Sequence, residues 1–459
     1  MTFHLPVELW QEIISYALVI RILPRQGATL FEDLDVFGNP CKINHYLVSD
    51  KTSFRLVCRL WNEIVLLEGD RNYCPFTEAG TQDIFDLDTV KYAHRLEFIE
   101  YCESYCRRWP CRLTHEKTGR CPPVYHRTIH KSTAAGQMLV RGDWPMEVQV
   151  VRFLRDIRDP TNLLQRSKNL TALSMRFANF SPLDQTTVIP TIQSHLSHLH
   201  LHNVYDDGTI HTLNLPYLRY LDLYLNLRRS YHRPGVFPLE IHMPNVVTIY
   251  LRGLASDDYA YSVDRLIMSS KETLVNLLLT YNEKYYRQAF PFKNLAQFPR
   301  FSTLGFGILN LRGLHPERFC NQPLPNTPTL TLLLLNIESH SRKPQWRHRR
   351  TCLITCIQLC KLWGRWFSEI SIPLEWGELE DLWVQACETY QGNDGSCEGE
   401  HDPLPCYWSI LDRINEYEIP IRDRNGVGLW EGEGAKLARR MKAFAESDQY
   451  ASHRLGEEL

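Results

Sequence analysis

Cysteine and histidine gather between residues 102 and 130, at Cys102, Cys106, Cys111, His115, Cys121, His126 and His130. Thiolate sulfur and imidazole nitrogen are the ligands a tetrahedral zinc ion prefers. Their spacing, C-x3-C-x4-C-x3-H-x5-C, does not match a paired two-knuckle site, so these residues read as structural. Cys352, Cys356 and Cys360 recur every four residues on one expected helix. One face of one helix cannot surround a metal, and they too read as small buried residues. His198, His200 and His202 alternate along a strand and would suit a metal or a pH switch. No carboxylate or cysteine adjoins them at ligand spacing, which favours a solvated polar strand face. The chain has no G-x-x-x-x-G-K-[ST] phosphate loop, no G-x-S-x-G elbow and no H-E-x-x-H motif. Gly426, Gly428 and Gly432 lack the spacing of a dinucleotide fingerprint. No catalytic residue, cofactor or metal is therefore assigned.

The whole composition narrows the classes further. The 459 residues are 44% hydrophobic and 23% charged, an ordinary globular balance. A net charge of −2 creates no field to attract nucleic acid or an anionic membrane, so neither is expected as a partner. No apolar run approaches the length of a membrane span, and the first residues do not resemble a signal peptide. Fourteen irregularly spaced cysteines then read as reduced thiols of a cytoplasmic or nuclear protein.

The elements that must position any site follow from a recurring apolar pattern. Tyr217 to Asn226 reads YLRYLDLYLN, with Leu218, Leu221, Leu223 and Asn226 spaced Leu-x-x-Leu-x-Leu-x-x-Asn. The pattern returns at Leu274, Leu277, Leu279 and Asn282. Looser copies are Leu170/Leu173/Met175, Leu196/Leu199/Leu201, Val246/Ile249/Leu251, Phe301/Leu304/Phe306 and Leu330/Leu333/Leu335. Their first positions, 170, 196, 218, 246, 274, 301 and 330, are separated by 26, 22, 28, 28, 27 and 29 residues. This resembles a leucine-rich repeat, whose period is roughly 20–29 residues. Along each strand the leucines enter a core and alternate residues point out. One such strand cannot bury its apolar face alone, whereas stacked neighbours form a continuous core. The intervals suit a helical or irregular return and are too long for hairpins.

The outward residues are Ser174 and Arg176; His198, His200 and His202; Tyr220, Asp222 and Tyr224; Thr248, Tyr250 and Arg252; Asn276 and Thr280. Aromatic and arginine side chains are favoured at protein interfaces. His200, Tyr220, Asp222, Tyr224, Tyr250 and Arg252 are accordingly the expected contacts for a protein target. In the last two repeats Gly305, Gly307, Leu332 and Leu334 are expected to replace polar residues on that face.

At the N-terminus, Leu5-Pro6-Val7-Glu8-Leu9 opens a helix continued by Ile13, Ile14, Ala17 and Leu18. Proline suits a helix start, where its missing N–H would have no partner. Ser53 to Ile64 predicts a second helix, with Leu56, Val57, Leu60, Trp61 and Ile64 as its apolar stripe. Together these residues resemble an F-box, whose pattern begins Leu-Pro-x-Glu-Leu and ends Leu-x-x-Val-Cys-Arg-x-Trp. With the repeats behind it, the chain resembles fungal-type F-box domain-containing proteins. It departs in the middle, where roughly residues 21–50 look like a loop insertion between the two halves. The resemblance implies a non-catalytic adaptor that binds a Skp-type linker, and through it a cullin, while the repeats hold a target. The residues carried over for the linker are Leu5, Pro6, Leu9, Ile13, Ile14, Leu56, Val57, Cys58 and Trp61, with Pro6, Leu9 and Ile14 foremost. The alternative is a repeat scaffold that works without a cullin.

The expected fold is thus α/β: a helical F-box followed by a leucine-rich-repeat solenoid of about seven irregular repeats with a curved parallel sheet. Its expected parts are 1–68 (F-box), 69–165 (helical or irregular linker and cap), 166–375 (repeats) and 376–459 (cap helices and tail). Within the linker, Val90 to Trp109 predicts a helix, and Trp144 to Arg155 a strand covering the first repeat. The basic run Arg342 to Arg350 reads as a solvated loop before a helix over 351–367. Leu379, Leu382, Trp383 and Ala386 suit a late helix, and Gly434 to Glu446 a last one.

Overall fold

A computed structural model describes residues 5–19, 23–24, 27–37, 52–68, 73–76, 94–98, 148–153, 161–177, 192–205, 210–225, 239–254, 260–281, 297–307, 330–335, 367–381, 415 and 418–445. The chain is α/β with a large, open parallel sheet. It divides into two compact units: Met1–Arg228 with Val236–Val247, and Arg229–Gly235 with Thr248–Leu459.

The first unit carries helices α1 (Val7–Val19), α2 (Leu30–Val36), α3 (Arg59–Glu68) and α4 (Thr161–Arg166). Its strands are β1 (Tyr73–Phe76), β2 (Arg95–Phe98), β3 (Val150–Phe153), β4 (Ala172–Arg176), β5 (His198–Val204), β6 (His211–Asn214), β7 (Tyr220–Leu225) and β8 (Leu239–His242). All but β6 and β8 pair in chain order, each parallel to the last. β6 and β8, from successive return segments, make a separate parallel ladder. Parallel neighbours need a crossover of a dozen or more residues, which the intervals supply. Leu173, Leu199 and Leu221 stand side by side across β4, β5 and β7, and all three are buried.

The second unit repeats the arrangement with β9 (Thr248–Leu254), β10 (Asn276–Tyr281), β11 (Thr303–Gly307), β12 (Leu330–Leu335), β13 (Phe367–Ser371) and β14 (Ile421–Arg422). Helix α5 (Ala260–Met268) fills the return from β9 to β10, and α6 (Gly432–Ala445) comes last. Ile249, Leu277, Leu304, Leu332, Ile370 and Ile421 form one row of this core. Just beyond β14, Asp423 accepts hydrogen bonds from the backbone N–H of Asn425 (2.9 Å) and Val427 (2.8 Å), folding a tight loop. The Trp376 indole N–H ties to the Val427 carbonyl at 2.8 Å.

A turn precedes most of these strands. The N–H of Leu170, Leu218, Val246 and Phe301 each bonds the carbonyl three residues earlier, while Leu196 and Leu274 reach four residues back. In these six repeats the turn closes on the first apolar residue, two positions before the strand begins. At the strand exits, Asn203 (φ 57°) and Gly253 (φ 73°) hold equivalent positions, each beside a register shift. Both residue types tolerate a left-handed backbone, which lets the strand bulge and turn away. Asn226 and Asn282, the closing asparagines of the sequence pattern, lie outside the described residues.

Four expectations need correction. Residues 95–98 form strand β2, so a helix over Val90 to Trp109 does not hold there; the β2–β3 pairing claims them. Consequently β3 does not end the sheet, because β1 and β2 continue it. The helix expected over Ser53 to Ile64 breaks at 56–58, and α3 starts only at Arg59. Finally, the last repeat is shifted by one: Leu332 and Leu334 align with Leu304 and Phe306 in the leucine core, whereas Leu333 and Leu335 align with Gly305 and Gly307. A one-residue shift exchanges the two faces of a strand.

Gly305 has a steric reason. A Cβ there would lie 2.4 Å from Leu278 Cδ2, 3.1 Å from Leu335 Cδ1 and 3.3 Å from the Leu278 backbone. Gly305→Val should therefore lose about 1–3 kcal/mol by overpacking, despite valine's liking for strands, and a urea midpoint below wild type would show it.

Candidate interaction surfaces

Two surfaces take shape, both in the first unit. The first is made by the two halves of the N-terminal motif. Ile14 of α1 meets Ile64 and Val65 of α3 in a small core, rimmed by Trp10, Phe54, Leu60 and Trp61. The Trp61 ring lies 5.0 Å from Trp10 and 5.7 Å from Phe54, within the range of tilted aromatic packing. This core corrects one of the linker contacts expected from the sequence. Ile14 is fully buried and cannot reach a partner, whereas Trp61 is half-buried, one side of it spent on the rim.

The other residues do face outward. Leu9 and Ile13 lie four residues apart on one face of α1 and are 43% and 47% exposed, and Leu5, just before the helix, is exposed as well. Pro6 and Val7 are exposed beside them, Val7 having escaped the sequence argument. Leu56 (81%), Val57 and Cys58 are exposed in the break before α3. The break turns these residues away from the stripe of Leu60, Trp61 and Ile64. Large apolar side chains clustered in water this way are a common mark of interaction sites.

The second surface is the polar side of the sheet, and there the structure departs most from expectation. The insertion is not only loop: Thr29 caps α2, accepting from the Glu32 N–H while the Glu32 carboxylate accepts from the Thr29 N–H at 2.7 Å. α2 lies on the strands. Asp33 Oδ1 sits 3.0 Å from His198 Nε2, both groups being buried. Arg95 Nη2 donates to the Val36 carbonyl at 2.8 Å. Val36 and Phe37 join Val150, Ala172 and Tyr220 in an apolar cluster, and Leu23 and Leu34 pack against it. The Phe37 ring approaches those of His200 (5.5 Å) and Tyr220 (6.4 Å).

Below α2 several polar side chains contact one another. The Ser174 hydroxyl is 3.3 Å from His200 Nδ1 and 3.1 Å from His202 Nε2. His200 Nε2 is 3.8 Å from Asp222 Oδ2, which also accepts from the Tyr220 hydroxyl at 3.4 Å. Ser174, His200 and Asp222 occupy matching register positions on adjacent strands. These types could form a nucleophilic triad. However, the hydroxyl is buried, and the imidazole–carboxylate distance exceeds a hydrogen bond. What they form is a hydrogen-bonded lining.

His200, Tyr220 and Asp222 are therefore not open contacts for a target, as expected from alternation alone; with α2 in place they are interior. Tyr224, further along β7, is exposed. In the second unit Tyr250 is buried, while the guanidinium of Arg252 lies 4.1 Å above its ring, a cation–π contact. The remaining candidates, 102–130, 342–350 and 352–360, lie outside the described residues. Among the described residues no group of three or more His, Cys, Asp or Glu could hold a metal ion. No helix among them is long and apolar enough to cross a membrane. No family model matches this chain, and no curated protein matches it.

Proposed function

We propose that this chain is the substrate-recruiting adaptor of a ubiquitin ligase of the Skp–cullin–F-box kind, its N-terminal helices forming an F-box and its sheet a leucine-rich-repeat solenoid. One observation carries the reading. Within the F-box-like motif, Ile14, Ile64 and Val65 close the core, while Leu5, Pro6, Leu9, Ile13, Leu56 and Val57 remain in water. A helical pair that buries some motif residues and exposes the rest has a second apolar face for a partner, which in this reading is the Skp-type linker. The solenoid is supported by the in-register leucine rows and by the turn that opens successive strands. Function then requires no chemistry from the chain itself. Holding the target near the ubiquitin-loaded enzyme raises the local concentration of its lysines.

Affinity purification of the full chain from its own cells tests this. A Skp-type linker and a cullin should both be recovered. Linker without cullin would favour the cullin-free scaffold, and recovery of neither would refute both.

A further inference from the structure

We propose that the polar face of β3, β4, β5 and β7 is a docking site for a short acidic helix of the pattern Asp-x-x-Val-Phe, and that α2 is its occupant in cis. The proposal rests on the adaptor reading only in treating the incoming helix as part of a ubiquitination target. The site itself is argued from α2. A seven-residue helix is too short to persist alone in water, so α2 owes its form to what it rests on. Its contacts are those of a helix laid in a groove, one charged anchor followed by apolar ones on the same side. Asp33 finds the His198 imidazole; three and four residues on, Val36 and Phe37 enter the cluster with Val150, Ala172 and Tyr220. Arg95 then takes the carbonyl that α2 leaves open at its C-terminal end.

Two features of this lining make it selective for what covers it. A buried imidazole–carboxylate pair is a poor source of stability compared with apolar packing, but it selects for a carboxylate. The pocket also reads backbone, through Arg95, which any helix of this pattern could satisfy. α2 is tethered on both sides by the chain, so it competes with an incoming segment at an effective concentration on the order of millimolar. A target must displace it, which makes capture conditional on a segment that fits better or is presented at high local concentration.

The test uses a fluorescein-labelled peptide of residues 28–37 and the full-length chain, read by anisotropy. A double variant, Asp33→Ala with Phe37→Ala, should vacate the face and bind the peptide on the order of 10- to 100-fold more tightly than wild type, where the tethered copy competes. The same peptide bearing both substitutions should not bind the variant. A folded variant that ignores the native peptide would overturn the proposal. If the variant does not fold, amide hydrogen exchange of the wild-type chain decides. Amides 33–36 should exchange through a local opening well before those of β4 and β5. Exchange of α2 only together with those strands would make it a permanent part of the fold and refute the docking site. Linker recovery reads the adaptor hypothesis separately: a chain that captures the peptide but no linker keeps the site and loses the ligase role.

Discussion

On the proposed adaptor role, a chain carrying Leu9→Asp and Ile13→Asp should capture a Skp-type linker almost not at all while melting within a few degrees of the wild-type temperature. Both side chains are about half exposed, so the folded chain gives up little when they change. The lost half-burial and helix propensity should cost about 1–2 kcal/mol for the pair, a shift of a few degrees for a chain of this size. In the complex the same positions would be dry. Two unpaired carboxylates buried in an apolar contact should cost at least about 4 kcal/mol, a loss of roughly a thousandfold in affinity. Co-elution and thermal melting of the same sample separate the two effects. Ile14→Ala provides the contrast: it opens the α1–α3 core and should cost about 2–5 kcal/mol of stability. Full linker capture by the double aspartate variant would show that this face is not the linker surface.

The second large effect is expected at Tyr220. Alternation along the strand places its side chain on the polar face, where truncation would be harmless to folding. The structure places it at 0% exposure, its ring 5.5 Å from that of His198 and packed in the Val36–Phe37 cluster. Tyr220→Ala should therefore lower stability by about 3–5 kcal/mol, as for other large aromatic truncations. Leu221→Ala, on the opposite face of the same strand, should cost about 2–5 kcal/mol. Tyr224→Ala, four residues after Tyr220 and exposed, should stay within about 0.5 kcal/mol. Urea midpoints for the three variants check the ranking. A Tyr220→Ala midpoint equal to wild type would mean that α2 does not cover this face in solution.

The contrast between Leu221 and Tyr220 shows how much of the molecule is legible in its residues. The leucine rows are, because their period of two within a strand and of 22–28 between neighbouring strands from Leu170 to Phe301 leaves few ways to bury them. The last repeat escapes at one position: Leu330 to Leu335 is apolar almost throughout, so the alternation that would set its phase is missing. β1 and β2 escape for a related reason. Four-residue strands carry too few alternations to declare themselves, and only the pairing of β2 with β3, and of β1 with β2, makes them visible.

For the candidate surfaces the division is similar. The two motif halves could be named from Leu5-Pro6 and from Cys58-Arg59-x-Trp61, but a helical stripe cannot say which side is inward. That depends on where the second helix begins, and the break at 56–58 turned Leu56 and Val57 outward. The burial of His200, Tyr220 and Asp222 lay further beyond reach. It depends on the segment that ends α2, whose Phe37 packs on His200 from 163 positions earlier in the chain. Local periodicity carries no information about contacts at that separation. By itself, then, the sequence determined the strand period, the rows of the core and the two halves of the N-terminal motif, all consequences of short-range alternation. Only the tertiary structure decided which face of each element met water, because that is set by whatever distant segment comes to lie upon it.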